Sequence, residues 1–278
     1  MIAFFLLFIA NSFVEIGTTI GKDQTQKRQH SIYTMGFLNL LWSTVFFLFF
    51  AFFVRQGFFF SLASLPTFIP RVILEIVQAH FTVLAIKHAS RSTFSFIRVL
   101  TIPLLLIVDL ILGYRLNPHQ ILGIVIIAVA LILLLVRRSL KTKGIFFVLF
   151  TAVNAVITLS LYKYDITHFN SVEAEQSLAL SVVTAYFMIM ALLVAKENPL
   201  RFLAKPIFLT QSLLNGAGDV IISFSYLFAP ASVITTIKRS ISVLFSVMSG
   251  HFYFGEKYLM LKILAFILVA GGLLLLVF

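Results

Sequence analysis

Long apolar runs separated by short polar interruptions dominate this chain. About 20 residues of helix cross the hydrocarbon core of a bilayer, and ten runs in the sequence are close to that length. The runs are Ile2–Ile20, Ile32–Val54, Phe68–Ile86, Thr93–Leu112, Gln120–Val136, Gly144–Leu161, Gln176–Ala195, Pro206–Phe228, Ser232–Phe254 and Leu259–Phe278. Of the 278 residues 60% are hydrophobic and 11% are charged, whereas a soluble domain carries about 25% charged residues. We therefore predict an all-α integral membrane protein with ten transmembrane helices.

The basic residues lie mostly in the connections between these runs. The net charge of +11 is thus typical of membrane-flanking charge and does not indicate a nucleic-acid-binding surface. Lys and Arg concentrate in the odd-numbered connections, so the positive-inside rule places those connections in the cytoplasm and both termini outside. The longest connections, Lys22–Ser31 and Tyr162–Glu175, are predicted to be loops. The N-terminus lacks a basic segment and a cleavage site, and we interpret it as the first helix.

Short segments recur along the chain at a constant offset of 142 residues. The matches are Leu112–Arg115 with Phe254–Lys257, Ile121–Gly123 with Ile263–Ala265, and Ala89-Ser90 with Ala231-Ser232. Further upstream, Lys22 corresponds to Lys163 at an offset of 141. Each half holds five spans, an odd number, so the second half must enter the membrane from the opposite side. We predict two inverted five-helix repeats, 1–136 and 144–278, joined by a basic linker, 137–143; this architecture is frequent in secondary transporters.

Polar residues at helical spacing mark the first, third and fourth span of each half. They are Asn11, Glu15 and Thr18; Arg71, Glu75, Gln78 and Thr82; Arg98, Thr101 and Asp109; Thr151, Asn154 and Thr158; Gln211, Asn215, Asp219 and Ser223; Thr235, Lys238, Ser242, Ser246 and Ser249. The second and seventh spans are predicted to carry little beyond Ser, Thr, Tyr and one Trp. An ionisable group facing lipid costs at least a few kcal/mol, so the stripes are expected to face inward, around a hydrated cavity. Hydroxyl and amide groups that merely hold helices together are the alternative.

The segment Pro230–Val277 resembles the C-terminal part of EamA-like members of the drug/metabolite transporter superfamily. Those proteins end each repeat with a helix, a Gly-Glu-Lys/Arg turn and a Gly-rich apolar helix, here Gly255–Lys257 and Ala270–Gly272. The first half keeps Gly113 and Arg115 but has Tyr114 where Glu is usual. The resemblance implies transport of a small molecule, with substrates ranging from amino acids and nucleotide sugars to organic cations. Relatives are usually drawn with both termini in the cytoplasm, so charge and resemblance disagree on orientation.

The adjacent Lys238-Arg239 pair is similar to the Lys-Arg pair that binds phosphate in plastid sugar-phosphate translocators. The resemblance implies anion contact at these two positions; snorkelling of Lys238 to the membrane surface is the alternative. The predicted substrate-binding residues are Lys238, Arg239, Arg98, Thr235, Ser242, Gln78 and Asn215. Desolvation favours the neutral form of a carboxyl group, which makes Glu15, Glu75 and Asp219 candidates for proton coupling. Asp109 is a possible carboxylate partner for Arg98.

These features favour a secondary active transporter that moves a small polar metabolite with an anionic group by alternating access. We expect a monomer in the cytoplasmic membrane of a bacterium or archaeon, with lipid and a small-molecule substrate as partners and no nucleic acid. We expect no enzymatic activity, no cofactor and no metal site: the chain has no cysteine or Walker-type phosphate loop, and its histidines are scattered.

Two alternatives stay open at this stage. Gly216–Asp219 matches the GxGD motif of intramembrane aspartyl proteases, and Tyr164-Asp165 and Pro230-Ala231 match parts of two further motifs of that class. The predicted seventh span separates the two aspartates, which counts against this interpretation. A non-transporting membrane receptor or scaffold is the second alternative, and it would leave the inward-facing carboxylates of both halves unexplained.

Overall fold

The structure is a computed structural model that describes residues 2–54, 57–111, 118–136, 143–228 and 231–277. Within these ranges all regular secondary structure is helical. The helices are α1 (Ile2–Gln26), α2 (Ile32–Phe49), α3 (Leu65–His88), α4 (Arg91–Arg98), α5 (Thr101–Ile111), α6 (Pro118–Val136), α7 (Ile145–His168), α8 (Val172–Leu193), α9 (Pro206–Ser225), α10 (Ala231–Phe252) and α11 (Leu259–Val277). A π-helical turn, Phe50–Val54, extends α2, and short 3-10 helices, Leu62–Ser64 and Pro199–Ala204, precede α3 and α9.

The length and the apolar surface of the helices indicate a multi-pass membrane protein. In the described part of the chain, seven helical segments are long and apolar enough to cross a bilayer. They are Phe5–Gln26, Ile32–Phe53, Leu62–His88, Arg91–Val108, Ile145–His168, Val172–Leu193 and Pro206–Ser225. Two shorter apolar helices, Ile121–Leu134 and Leu259–Leu275, follow the same pattern. Large apolar side chains such as Phe146 and Leu193 are exposed on the outside, where lipid is a suitable solvent. The prediction of a helical membrane protein is confirmed, whereas the number of ten spans stays a prediction.

The fourth predicted span, Thr93–Leu112, is two helices rather than one. α4 ends at Arg98 and α5 begins at Thr101. Pro103 has no N–H group, so the carbonyl of Val99 cannot receive the usual bond from four residues ahead. The N–H group of Ile102 binds that carbonyl instead, at 3.0 Å, which tightens the backbone into a 3-10-like turn. Arg98 therefore sits at the end of a helix inside the bundle.

The two longest predicted loops are largely helical, which corrects their boundaries. α1 continues to Gln26 and α7 to His168, and α8 already begins at Val172. Ser31 and Ser171 cap the next helices: each Oγ accepts a hydrogen bond from the N–H group three residues ahead, at 3.2 Å. The predicted turn Leu112–Arg115, most of the linker 137–143 and Pro230 lie outside the described residues.

Helices from the two halves of the chain alternate in the bundle. α1 packs on α9, α3 on α7, α2 on α8 and α9, α4 on α10, and α6 on α11. A Cβ atom at Gly216 would lie 2.7 Å from the backbone of Trp42, and one at Gly218 would lie 2.5 Å from the carbonyl oxygen of Ala10. The glycines of the protease-like motif therefore allow α9 to approach α2 and α1 closely.

Two lysines close the C-terminal ends of helices in the same way. Lys22 on α1 donates to the carbonyl oxygen of Ile86, at 2.6 Å, and to that of Ala89, at the end of α3. Lys163 on α7 donates to the carbonyl oxygen of Tyr226, at 2.6 Å, at the end of α9. Each ammonium group satisfies carbonyls that the helix itself leaves without a donor.

Candidate functional site

A cavity of about 290 Å³ lies at the centre of the bundle, between α1, α2, α3, α4, α8, α9 and α10. Nine of the ten residues predicted to bind substrate or protons line it. They are Lys238, Arg239, Arg98, Ser242, Gln78, Asn215, Glu15, Glu75 and Asp219. Thr235 is outside the lining; it is buried, and its hydroxyl lies 3.2 Å from that of Tyr226. The polar stripes of α1, α3, α4, α9 and α10 thus meet in one place.

Two further helices contribute polar groups to this cavity that are not among the predicted site residues. α2 provides Asn39, whose side-chain oxygen accepts hydrogen bonds from Gln211 at 2.8 Å and from Asn215 at 3.1 Å. α8 provides Gln176, whose amide donates to Ser223 at 3.2 Å. The prediction that these two spans carry little polar chemistry was therefore wrong, because a single amide was overlooked against an apolar background.

Two carboxylates of the cavity wall have arginine partners. Glu15 accepts a hydrogen bond from Arg91 at the start of α4. Glu75 accepts from Arg71 at 3.2 Å, and the same guanidinium group donates to Glu175 on α8. Both arginine side chains are buried, so each ion pair compensates charges that would otherwise be costly in the interior.

Three other cations, Arg98, Lys238 and Arg239, line the same cavity. Within the described residues, no salt bridge involves Arg98, Lys238 or Arg239. The guanidinium carbon of Arg98 lies 5.0 Å from the centre of the Phe94 ring, and the buried Nε atoms of Arg98 and Arg239 have no hydrogen-bond acceptor among the described residues. The side chain of Asp109, the predicted partner of Arg98, lies outside the described residues. The partial negative charge at the C-terminal end of α4 offsets part of the Arg98 charge.

Asp219 occupies the region where the central cavity meets a smaller one. Its carboxylate accepts a hydrogen bond from Ser43 on α2, at 2.9 Å. The smaller cavity, of about 110 Å³, shares Glu75, Asp219 and Lys238 with the central one and extends to Arg71. Ionisable groups of both signs therefore continue from the cavity towards α7 and α8.

The two aspartates of the protease alternative have separate partners. Asp165 accepts a hydrogen bond from Thr67 on α3, whereas Asp219 accepts from Ser43 on α2. No hydrogen bond joins the two carboxyl groups in the described part of the chain. The proton-sharing arrangement that an aspartyl protease requires is thus not formed between them.

Glu256 fixes the start of α4 from the other half of the chain. Its carboxylate accepts hydrogen bonds from the backbone N–H group of Arg91 at 2.6 Å, from the side chain of Ser92, and from Lys262 at 2.8 Å. Burial acts to raise the pKa of Glu256, but the bonds from Lys262 and Ser92 outweigh it and hold the pKa below its usual value. The Gly-Glu-Lys turn marked this residue in the sequence without indicating the role.

Glu197 connects two loops at one end of the bundle. It accepts hydrogen bonds from the backbone N–H group of Ser31 at 3.0 Å and from the hydroxyl of Thr34 at 2.6 Å. Burial again acts to raise the pKa of this carboxyl group, but the hydrogen bonds from Thr34 and Ser31 lower it overall. The neighbouring His30 is buried, and the loss of hydration lowers its pKa.

A larger cavity of about 390 Å³ lies between α1 and α10, on the outer surface. Its wall is mostly apolar and includes Ile16, Phe245, Met248 and Phe252, of which three are exposed on the lipid-facing side. Glu15, Asp23 and Gln24 also line it, but most of its accessible wall is apolar. The central cavity is therefore the candidate functional site.

No group of three or more His, Cys, Asp or Glu side chains in the described ranges is placed to hold a metal ion. The central cavity combines amide and hydroxyl groups with cations that form no salt bridge among the described residues, so its wall can bind polar and anionic groups. A comparison of the chain with protein-family models and with curated proteins finds no match.

Proposed function

We propose that this protein is a secondary active transporter for a small polar metabolite that carries an anionic group. The observation that carries the proposal is the set of three cations, Arg98, Lys238 and Arg239, which line one interior cavity and form no salt bridge in the described part of the chain. A buried cation without a counter-charge is costly, and an anionic ligand would compensate it. Arg71 and Arg91, by contrast, are each paired with a glutamate.

The proposal includes ten membrane spans in two inverted repeats, with α4 and α5 together forming the fourth span. The packing of the helices supports it. The symmetry would relate α1 to α7 and α3 to α9. Exchanging the two halves therefore converts the α1–α9 contact into the α7–α3 contact. The same exchange maps the pairs α2–α8, α4–α10 and α6–α11 onto themselves. A pseudo-two-fold axis in the membrane plane produces such a pattern, and transporter binding sites lie at the interface of such repeats.

Individual contacts support the same symmetry. Lys22 and Lys163, 141 positions apart, each close the C-terminal end of the third helix of their half. Thr44 and Thr184, 140 positions apart, bond to each other at 3.0 Å, as residues near a two-fold axis do. Arg98 and Arg239 are 141 positions apart and both line the cavity. The resemblance to EamA-like transporters, which the proposal includes, agrees with this layout.

We extend the proposal to the cytoplasmic membrane of a bacterium or archaeon. The odd-numbered connections would then lie in the cytoplasm, because they hold most of the Lys and Arg residues of the loops. The discontinuity between α4 and α5 next to Arg98 also fits a transport site, since broken helices expose backbone groups to a ligand.

The test is a thermal-shift screen of the purified protein against amino acids, organic acids, phosphorylated sugars, nucleotides and quaternary amines. A ligand that binds the native state raises its stability by mass action. We expect the strongest shift from a ligand with an anionic group, and uptake of that ligand into proteoliposomes. Lys238→Gln and Arg239→Gln should each weaken binding by about 1.5–3 kcal/mol, the value of a charged hydrogen bond. That corresponds to roughly tenfold to a hundredfold in affinity.

Lys27→Gln is the matched control, because Lys27 is exposed and its partner is the surface carboxylate of Asp23. This variant should bind and transport like the parent. The proposal is wrong if the best ligand is a cation without an acidic group. It is equally wrong if both cavity variants behave like Lys27→Gln, which would favour the snorkelling interpretation.

A further inference from the structure

Asp165, Glu175 and Arg71 form a buried ionic cluster where α7, α8 and α3 meet, outside the wall of the central cavity. Asp165 lies near the end of α7, Glu175 in the first turn of α8 and Arg71 in α3. The two acidic residues are 0% exposed and Arg71 is 1% exposed. The sequence predicts both acidic residues in a loop and assigns Glu175 no role.

The hydrogen bonds of this cluster leave one carboxylate oxygen without a donor. Arg71 and Asn170 donate to the two oxygens of Glu175, and Thr67 donates to Oδ1 of Asp165. Oδ2 of Asp165 is buried, and no group in the described part of the chain donates a hydrogen bond to it. The carboxyl groups of Asp165 and Glu175 lie within hydrogen-bonding distance of each other. A hydrogen atom between them would satisfy the remaining oxygen, whereas two bare carboxylates would repel each other there.

The surrounding charges lead to the same conclusion. Within reach of the single Arg71 guanidinium group are three carboxyl groups, those of Glu75, Asp165 and Glu175. Among the described residues that line the small cavity, the other titratable groups facing the cluster are Tyr162, Tyr226, Asp219 and Lys238. One guanidinium group cannot balance three carboxylates, of which Asp165 and Glu175 are fully buried and Glu75 is partly exposed, so the acidic excess favours the uptake of a proton.

We propose that Asp165 and Glu175 share one proton and that this proton is the coupling ion of transport, an inference that rests on the proposed function. The proton forms an O–H bond on one carboxyl group and a hydrogen bond to the other, and no other bond changes. The Asp165–Glu175 pair, rather than Glu15, is then the coupling group, because the Glu15 carboxylate is paired with Arg91.

Arg71 links the proton to the cavity. Its guanidinium group contacts Glu175 in the cluster and Glu75 in the cavity wall. With the proton bound, the pair carries one negative charge and Arg71 compensates Glu75 as well. Loss of the proton adds a second negative charge to the pair, draws Arg71 towards it and leaves Glu75 less compensated. An anion then binds the cavity more weakly, so anion and proton bind together and, by linkage, each favours the other.

The first experiment tests the proton without any need for a substrate. Infrared spectra of the purified protein at neutral pH should contain the C=O stretch of a protonated carboxyl group, shifted in heavy water. Asp165→Asn should remove this band and still fold, because its amide can accept from Thr67 and donate to Glu175. Asp23→Asn, at a surface carboxylate paired with Lys27, should retain the band. A parent spectrum without the band, or an identical band in Asp165→Asn and Glu175→Gln, overturns the shared proton.

The second experiment tests the coupling. With the best anionic ligand of the thermal-shift screen, parental affinity should fall roughly fivefold or more as the pH rises through the neutral range, the lower end of usual coupling strengths. Asp165→Asn should bind the anion with an affinity that does not change over that range. In proteoliposomes containing a pH-sensitive dye, the parent should move protons with the anion and Asp165→Asn should not.

The outcomes separate the two proposals. Anion transport by the parent without proton movement, or an unchanged pH dependence in Asp165→Asn, refutes the coupling and leaves the transport function standing. If Asp165→Asn removes the infrared band but the parent binds no anion, the shared proton is supported. The proposed anion transport and its coupling to the proton are then both refuted.

Discussion

The division of the buried arginines into paired and unpaired groups predicts opposite effects of the same substitution. Arg91→Gln removes the partner of Glu15, which is 6% exposed and would keep an uncompensated charge in the interior. Breaking such a pair by removing one partner costs about 3–5 kcal/mol. Arg239→Gln removes a buried cation that forms no salt bridge within the described residues and whose neighbours in the cavity include Arg98 and Lys238. Its removal should therefore leave the free energy of unfolding unchanged or slightly higher.

Unfolding in detergent, followed by the fluorescence of the single tryptophan Trp42, measures both effects. We expect Arg91→Gln to unfold well before the parent and Arg239→Gln to unfold with it or after it. The double variant Arg91→Gln/Glu15→Gln should recover part of the loss, because no orphaned carboxylate is left. The reasoning is refuted if the two single variants lose stability equally, or if the losses at Arg91 and Glu15 simply add.

Three further predictions concern loops, packing and orientation. Glu197→Gln should destabilise the protein at neutral pH. The difference in stability from the parent should vanish as the pH falls through the lowered pKa of Glu197, because protonation removes the same hydrogen-bonded charge from the parent. Melting curves across acidic pH measure this difference, and a difference that persists in acid contradicts the prediction. Gly216→Ala should lower the free energy of unfolding by about 1–3 kcal/mol, because the new Cβ atom would meet the Trp42 backbone. Gly271→Ala, with open space around the residue, should keep the melting temperature of the parent. Equal melting temperatures of the two variants would contradict the close packing at Gly216. A C-terminal reporter that is active only in the cytoplasm should be silent, and a strong signal would reverse the orientation that the charges favour.

The polar stripes show how far the sequence could predict the site. The stripe of α3 was expected to face inward, and Glu75, Gln78 and Thr82 line the cavity. The similar stripe of α7 is also buried, but Asn154 donates to Gln78 at 3.0 Å and packs against α3 instead of the cavity. A stripe indicates that a helix face avoids lipid. It does not distinguish a neighbouring helix from a hydrated space, because both satisfy polar groups.

The ion pairs were beyond the reach of the sequence. Arg91 and Glu15 are 76 positions apart, and Arg71 and Glu175 are 104 positions apart. Helical periodicity relates residues within one span, whereas these partners meet only after helices from distant parts of the chain have packed. The break after Arg98 was in principle readable from Pro103, yet the apolar run around it is continuous and favoured a single helix.

The hydrogen bond between Thr44 and Thr184 has a mechanical consequence under the proposed symmetry. Thr44 and Thr184 are counterparts, so the symmetry maps their hydrogen bond onto itself. The length of this bond, 3.0 Å, therefore stays the same when the two halves exchange conformations. The Lys22 and Lys163 caps are images of each other, so they exchange their lengths during the same step. The threonine pair then lies at the pivot about which the two halves rotate. Because the chain contains no cysteine, spin labels can be introduced at chosen positions alone. A label pair beside Thr44 and Thr184 should give one distance in both states, whereas a pair spanning α1 and α3 near Lys22 should give two.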